Sequence, residues 1–207
     1  MIDAAIFQYG SPFCRTQLEG ILSDCSLVYQ KILSSGIVLN NKENEIRDKL
    51  AEYLEDDDYK MSHTAIVRSF QVDHEVPEGT NGRVDFRFLK SNPYLGQKVY
   101  YIIECKRLDG GHHLNKEYVE NGINRFKTPG KYSSHLGVNG MMGFLVRQVD
   151  VNDTCWNINT LLADNECLVP ASLKCADGCC GFESKHSVTS GSVTLLHLWM
   201  DFSSCVK

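Results

Sequence analysis

Two apolar runs near the middle of the chain, residues 82–88 and 100–106, are typical of β-strands but carry charges that a buried strand disfavours, notably Asp85, Glu104 and Lys106. Successive side chains of a strand point to opposite faces, so Glu104 and Lys106 share one face. A carboxylate and an ammonium inside an apolar run cost several kcal/mol unless they are paired or bind a metal. A hairpin would bring Asp85 alongside them, so the sequence predicts a small acidic pocket with one lysine at its rim.

The composition is typical of a single soluble domain: 207 residues, 43% hydrophobic and 23% charged, with a net charge of -5. The negative total argues against nucleic-acid binding through the whole surface, although local basic patches matter more than the total. No run of about 20 apolar residues predicts a membrane span, and the first residues do not resemble a signal peptide. We therefore expect a cytoplasmic protein without a membrane partner, whose nine cysteines are mostly reduced thiols.

Apolar periodicity divides the chain into helices and strands. The predicted helices span residues 16–33, 40–54, 116–126 and 150–163, and the predicted strands span residues 64–76, 82–88, 100–106, 141–146 and 193–202. Three strands in succession, a helix and a further strand predict an α/β fold with a central mixed sheet flanked by helices. We expect one domain over residues 1–207, with a core at about 40–150 and a C-terminal extension, 151–207, packed on it.

Turn-forming and polar residues separate these elements. Residues 55–58 and 77–82 predict loops, and residues 91–96 predict a hairpin loop. The segment 164–185 has little regular pattern. In the last predicted helix, the spacing places Trp156 on the inward face.

The three central charges suit metal-assisted phosphodiester chemistry. Carboxylates on adjacent strands, Asp85 and Glu104, can hold Mg²⁺, which takes oxygen ligands and keeps several waters. The backbone carbonyl of Cys105 is a further candidate ligand. Hydrolysis also needs a group that positions or deprotonates water and a cation that offsets developing negative charge, and Lys106 is placed for both.

These residues resemble the motif of the PD-(D/E)xK nuclease superfamily, which has a restriction-endonuclease-like fold. The motif has an acid on one strand followed by acid-x-Lys on the next, here Asp85 and then Glu104-Cys105-Lys106. The resemblance covers roughly residues 43–146 and implies a core of order αβββαβ. Val84 precedes Asp85, where the motif nominally has a proline. This position varies widely in the superfamily.

The resemblance implies roles for further residues. It makes Glu43 a catalytic and metal-binding candidate beside Asp85, Glu104 and Lys106, although acids in a first helical turn are also favoured by the helix dipole alone. Glu75 is a weaker extra candidate. The resemblance implies that the basic side chains Arg107, Arg125 and Lys127 face the DNA backbone. It also implies Mg²⁺ as cofactor, with Mn²⁺ as a substitute.

The expected activity is that of a Mg²⁺-dependent endonuclease acting on DNA in restriction, phage defence or repair. Local charge supports this partner, because residues 98–147 hold eight basic and four acidic residues, a net charge of +4. Phosphate contacts of this kind give affinity without base specificity. The size leaves little room for a separate target-recognition domain, so we expect a homodimer or a protein partner.

Other interpretations stay open at this point. Lys106 can form a structural ion pair with Glu104 or Asp85 that closes a sheet edge, worth about 0–1 kcal/mol at a surface. The same fold can serve as a catalytically inactive nucleic-acid-binding or complex-forming module, or the chain can be an unrelated α/β domain. The cysteine-rich segment 167–180 allows a zinc site, but its Cys-x₃-Cys-Cys spacing does not match a zinc knuckle. We place His186 outside the site and His197 in the core.

Overall fold

The computed structural model describes residues 12–78, 82–90, 100–129, 131–132, 136–189 and 191–207. The predicted hairpin loop at 91–96 lies outside the described residues, as does part of the predicted loop at 77–82. Within the described ranges, none of the helices has the length and apolarity needed to cross a bilayer.

Within the described residues, six helices and seven strands form the fold. The helices are α1 (Pro12–Ser34), α2 (Glu43–Glu55), α3 (Asp57–His63), α4 (His112–Tyr118), α5 (Asn124–Lys127) and α6 (Val151–Asn159), and a π-helical segment, Val119–Ile123, joins α4 to α5. The strands are β1 (Phe70–Glu78), β2 (Gly82–Lys90), β3 (Tyr100–Leu108), β4 (Val138–Leu145), β5 (Val169–Pro170), β6 (Cys179–Val188) and β7 (Gly191–Asp201). Short 3₁₀ turns occupy Val67–Ser69 and Asp164–Glu166.

All seven strands belong to one mixed sheet in the order β1-β2-β3-β4-β7-β6-β5. Strands β1, β2 and β3 are antiparallel, whereas β3 with β4 and β4 with β7 are parallel. A parallel pair needs a crossover connection, and the α4–α5 segment provides it between β3 and β4. The predicted α/β class and mixed sheet are confirmed.

Helices cover both faces of the sheet, which explains the continuous apolar runs of its central strands. On one face α1 packs against β4 and β7. Its periodic residues Leu18, Ile21 and Cys25 are fully buried there. On the other face α4 and the π-helical segment contact β3. Residues 151–207, predicted as an extension packed on the core, supply β5, β6 and β7 and therefore continue the same sheet.

Two segments predicted as irregular are regular. Residues 57 and 58 belong to α3, because the Asp56 side chain accepts a hydrogen bond from the Tyr59 N–H and so caps a new helix. The segment 164–185 contains β5 and most of β6. Alternate residues of β6, such as Phe182 and Ser184, are buried, a strand pattern that its cysteines and glycines obscured.

The prediction that Trp156 points inward is wrong, since 68% of its surface is exposed. Helix α6 buries Thr154, Cys155 and Ile158 instead, a stripe that leaves Trp156 on the outer side. The predicted strand at 64–76 begins only at Phe70. The preceding turn is held by Asp24 of α1, whose carboxylate accepts three successive backbone N–H groups of residues 65–67.

Candidate active site

Strand pairing places the two predicted metal-binding acids side by side. Phe86 pairs with Ile103 across β2 and β3, so Asp85 stands beside Glu104 at the next position. The Asp85 Oδ2 atom accepts a 2.7 Å hydrogen bond from the Cys105 N–H. The antiparallel hairpin inferred from the sequence therefore brings the two acids together.

A third carboxylate extends this row onto β1. The pairs His74 with Phe86 and Val76 with Val84 flank Glu75 and put it opposite Asp85. The backbone of Glu75 has a φ of 54°, a left-handed conformation that is uncommon for residues other than glycine. Backbone strain of this kind concentrates at functional sites, because the surrounding structure must hold it in place.

Lys106 lies next to the acids, as predicted. Its Nζ atom donates to Glu104 Oε1 at 2.9 Å, to Glu43 Oε1 at 2.9 Å and to the Cys105 carbonyl at 2.7 Å. Glu43 begins α2 and points inward, where its second oxygen accepts the Arg107 N–H at 3.2 Å. The Cys105 side chain is buried in the core on the opposite face of the sheet.

Arg47 is a site residue that the sequence prediction missed. Its Nη1 atom lies 2.9 Å from Asp85 Oδ1 and also pairs with Glu75. Its Nε and Nη2 atoms donate to Asp48 Oδ1 at 3.0 and 2.7 Å. A signal existed, because residues four apart share a helix face and Arg47 follows Glu43 by four positions.

Arg125 and Tyr132 complete the surroundings of Glu104. Arg125 Nη1 lies 2.8 Å from Glu104 Oε1 and donates to the Tyr132 hydroxyl at 3.1 Å. The Tyr132 hydroxyl in turn donates to Glu104 Oε2. Arg125 was predicted to face DNA, whereas Tyr132 lies within the glycine- and serine-rich stretch 130–140, which has no periodicity and gave no sequence signal for it.

These side chains line an open cleft of about 530 Å³. Its lining includes four acidic and four basic residues: Glu43, Glu75, Asp85, Glu104, Arg47, Arg83, Lys106 and Arg125. The eight formal charges cancel. We call this group, together with Tyr132, the charged cleft.

Burial and, after it, the neighbouring charge of Asp85 raise the pKa of Glu104 from 4.5 to about 7, although Lys106 and Arg125 oppose the shift. For Lys106, burial lowers the pKa, but the charges of Glu104 and Glu43 outweigh it and hold the pKa above its ordinary value. Lys106 is therefore an ammonium in this arrangement. Its chemistry is the supply of positive charge and hydrogen bonds, not the acceptance of a proton.

The donor set fits a hard cation by its chemistry. Asp85, Glu104 and the Cys105 carbonyl are oxygen donors, and Mg²⁺ is commonly held by one or two carboxylates and several waters. The acids already attract cationic groups, since Arg47, Lys106 and Arg125 each lie within 2.9 Å of one of them. Across the part of the chain that the structure describes, no three acidic, histidine or cysteine side chains converge on a ready-made metal site. Metal binding would therefore require these internal ion pairs to open.

Two of the predicted DNA-facing residues do not line the cleft. Arg107 Nη1 donates to the carbonyl and the side-chain oxygen of Asn41, at 2.7 and 2.8 Å, and so holds the segment before α2. Lys127 pairs with Glu166. Contact of either residue with DNA stays a prediction.

A second polar group lies on the same face of the sheet and includes Tyr118 of α4. The Tyr118 hydroxyl lies 2.7 Å from His197 Nδ1, and His197 Nε2 lies 2.8 Å from Ser184 Oγ. Ser184 contacts His186 Nε2 at 2.7 Å, and the Trp199 indole N–H donates to Tyr118 at 3.0 Å. We call these five residues the histidine network; the predicted core position of His197 is confirmed.

No disulfide joins any of the nine cysteines, all of which lie in the described ranges. Cys167, Cys175, Cys179 and Cys180 are partly exposed, and among the described residues they form no metal-binding group. Comparison of the chain with protein families, with curated proteins and with solved structures finds no match. The assignment of function therefore depends on the chemistry of the charged cleft.

Proposed function

We propose that the protein is a Mg²⁺-dependent endonuclease that hydrolyses DNA phosphodiester bonds, with Mn²⁺ as a substitute metal. The observation that carries the proposal is the contact of Lys106 with Glu104 and Glu43, beside Asp85, in one open cleft. This set resembles the acid, acid-x-Lys arrangement of the PD-(D/E)xK nucleases, which supports the proposal. The order of elements from α2 to β4, with three antiparallel strands, a helical crossover and a parallel strand, supports a restriction-endonuclease-like core.

Each residue has a role that follows from its position. Asp85 and Glu104 would hold the metal, with the Cys105 carbonyl as a further oxygen donor and Glu43 as an assisting acid. The chemistry supplied by bound Mg²⁺ is Lewis-acid stabilisation of negative charge on the phosphate. Lys106 orients water through its N–H groups and offsets the charge that develops on the phosphate.

The partner in this proposal is the phosphate backbone of DNA. Arg83 is exposed at the edge of the cleft, and Arg125 is partly exposed within it. Both can reach a DNA backbone that enters the cleft. The affinity from such phosphate contacts does not depend on the base sequence and falls steeply as the salt concentration rises. Arg107 and Lys127 would extend the basic surface beyond the cleft, and a homodimer or a protein partner would supply target choice.

A plasmid assay tests the proposal. The wild-type protein is incubated with supercoiled plasmid in Mg²⁺, in Mn²⁺ and in EDTA, and we expect nicking that EDTA abolishes. Lys106→Ala should lower the rate by about 10²–10³-fold, the size of effect that follows from loss of a transition-state charge donor. The matched control is Lys116→Ala, whose exposed ion pair with Glu120 lies outside the cleft lining. Equal cleavage by wild type and Lys106→Ala would show that the site is assigned wrongly.

A second candidate function is nucleic-acid binding without catalysis. It is favoured by one observation: the carboxylates of Asp85 and Glu104 already accept hydrogen bonds or ion pairs from Arg47, Lys106, Arg125 and Tyr132. Under this alternative the protein binds DNA, and its affinity for DNA falls as the salt concentration is raised to about 200 mM. It cleaves no DNA in Mg²⁺ or in Mn²⁺.

A further inference from the structure

Arg47 differs from the other cations of the charged cleft in how it is held. Lys106 is surrounded by three acceptors that all belong to the site. Arg47 instead divides its guanidinium between two environments. Its Nη1 atom points into the cleft towards Asp85 and Glu75, while Nε and Nη2 are held by Asp48, which does not line the cleft.

This division lets one half of the guanidinium change partner while the other half stays fixed. The planar fork of arginine donates in two directions at once, which a lysine ammonium on a flexible stem does not reproduce. The residue is only 3% exposed, so α2 and the cleft wall restrict its movement. A metal cation that binds Asp85 would therefore free an N–H group of Arg47 Nη1, which still points into the cleft.

We propose that Arg47 is an internal counter-ion that a divalent cation displaces from Asp85 and that then contacts the phosphate of the bound nucleic acid. The inference rests on the proposed function, since it names the residue that links metal entry to phosphate binding. Positive charge beside Asp85 opposes metal entry by ordinary Coulomb repulsion. Once the metal neutralises Asp85, the same positive charge favours an anion, and guanidinium is well suited to phosphate.

The two ligands give effects of opposite sign, which separates this role from a structural one. In Arg47→Met, Mn²⁺ alone should bind about tenfold more tightly than in wild type, because the competing charge is gone. Inorganic phosphate, added in saturating Mn²⁺, should bind about tenfold more weakly, because its arginine donor is gone. Isothermal titration calorimetry measures both affinities without DNA and without turnover.

Arg87→Met is the matched control. Arg87 lies on β2 two residues beyond Asp85 and pairs with Asp73 at 2.7 Å, outside the cleft lining. Removal of this arginine should change neither affinity. Arg47→Lys keeps the charge without the fork, so its Mn²⁺ affinity should stay close to that of wild type while phosphate binding weakens. Because Arg47→Lys retains a cation for Asp85, it is a second test if Arg47→Met does not fold, as judged by circular dichroism.

The outcomes are distinct. Tighter Mn²⁺ binding together with weaker phosphate binding in Arg47→Met supports the inference, even if no nuclease activity is found. Unchanged or weaker Mn²⁺ binding in Arg47→Met overturns it and leaves the proposed nuclease standing if wild type binds Mn²⁺ and cleaves. Failure of wild type and Arg47→Met alike to bind Mn²⁺ overturns both proposals.

Discussion

The charged cleft and the histidine network lie on the same face of one sheet, yet they neutralise their polar groups in different ways. The cleft pairs full charges, with three carboxylates in a row and arginines between them. The network uses neutral hydrogen bonds between fully enclosed side chains, of which His186 and His197 are completely buried. The α4–α5 segment contributes to both, with Arg125 in the cleft and Tyr118 in the network.

The difference shows in how the folded state treats protons. Burial and Asp85 raise the pKa of Glu104 to about 7, so the folded cleft holds this proton more tightly than the unfolded chain does. Burial, reinforced by His186, lowers the pKa of His197 to about 3, so the folded network excludes a proton. The cleft therefore holds a carboxylate, Glu104, whose ionisation destabilises the folded state, a feature common at functional sites. The five residues of the network are neutral. Acidification should stabilise one region and destabilise the other.

The largest expected effect is a gain in stability on removal of the Glu104 charge. As pH rises from 4.5 to 7, unfolded Glu104 ionises before folded Glu104, so the folded state progressively loses stability. Above pH 7, Glu104 is ionised in both the folded and the unfolded state, so the full free-energy cost of burying its charge applies. Glu104→Gln should therefore raise the free energy of unfolding by about 3 kcal/mol at pH 8. Urea unfolding without added metal at pH 8 and pH 5 measures the difference. A variant that is less stable than wild type at pH 8 would show that the Lys106 and Arg125 pairs outweigh the cost of burial.

A smaller, opposite effect is expected in the histidine network. Tyr118→Phe removes the hydroxyl that contacts His197 Nδ1 and accepts the Trp199 N–H. Two buried polar atoms then lose their partner, which should lower the free energy of unfolding by about 2 kcal/mol. Thermal or urea unfolding checks this against Tyr53→Phe on the half-buried face of α2. Equal losses in the two variants would mean that the network adds nothing to stability.

The smallest effect concerns the pH dependence of the network. Because the folded pKa of His197 lies below its unfolded value of 6.5, its contribution to stability is present above pH 6.5 and is lost as pH falls towards 3. Between pH 7 and pH 5.5, wild type should lose about 1 kcal/mol more than His197→Asn loses, since asparagine does not titrate in this range. Parallel urea titrations at the two pH values measure this difference and cancel the contribution of every other group. If wild type and His197→Asn lose the same stability between the two pH values, His197 accepts a proton in the folded state as readily as in the unfolded state.

Local patterns were enough to predict Asp85, Glu104 and Lys106, because alternation along β3 and the hairpin register depend on neighbouring residues, whereas Glu43 was predicted through the family resemblance. The row from Glu75 to Glu104 crosses three strands that follow one another in sequence. Arg47 was missed because, although its spacing from Glu43 places both on one face of α2, its partners depend on how α2 packs on the sheet. Strand β6 was missed because cysteine and glycine concealed its alternation, and no sequence signal indicated that β7 lies between β4 and β6.

The position of β7 has a consequence for how the protein is made. Strands β1 to β4 leave the ribosome in the order in which they pair, so this half of the sheet can form during synthesis. The outer edge of β4 is then open, because its neighbour β7 is made after β5 and β6. An open apolar edge is a template for pairing with another chain. Nascent chains that have finished β4 but not yet β7 therefore pass through an interval in which aggregation competes with folding, and chaperones that bind extended apolar segments have their target there.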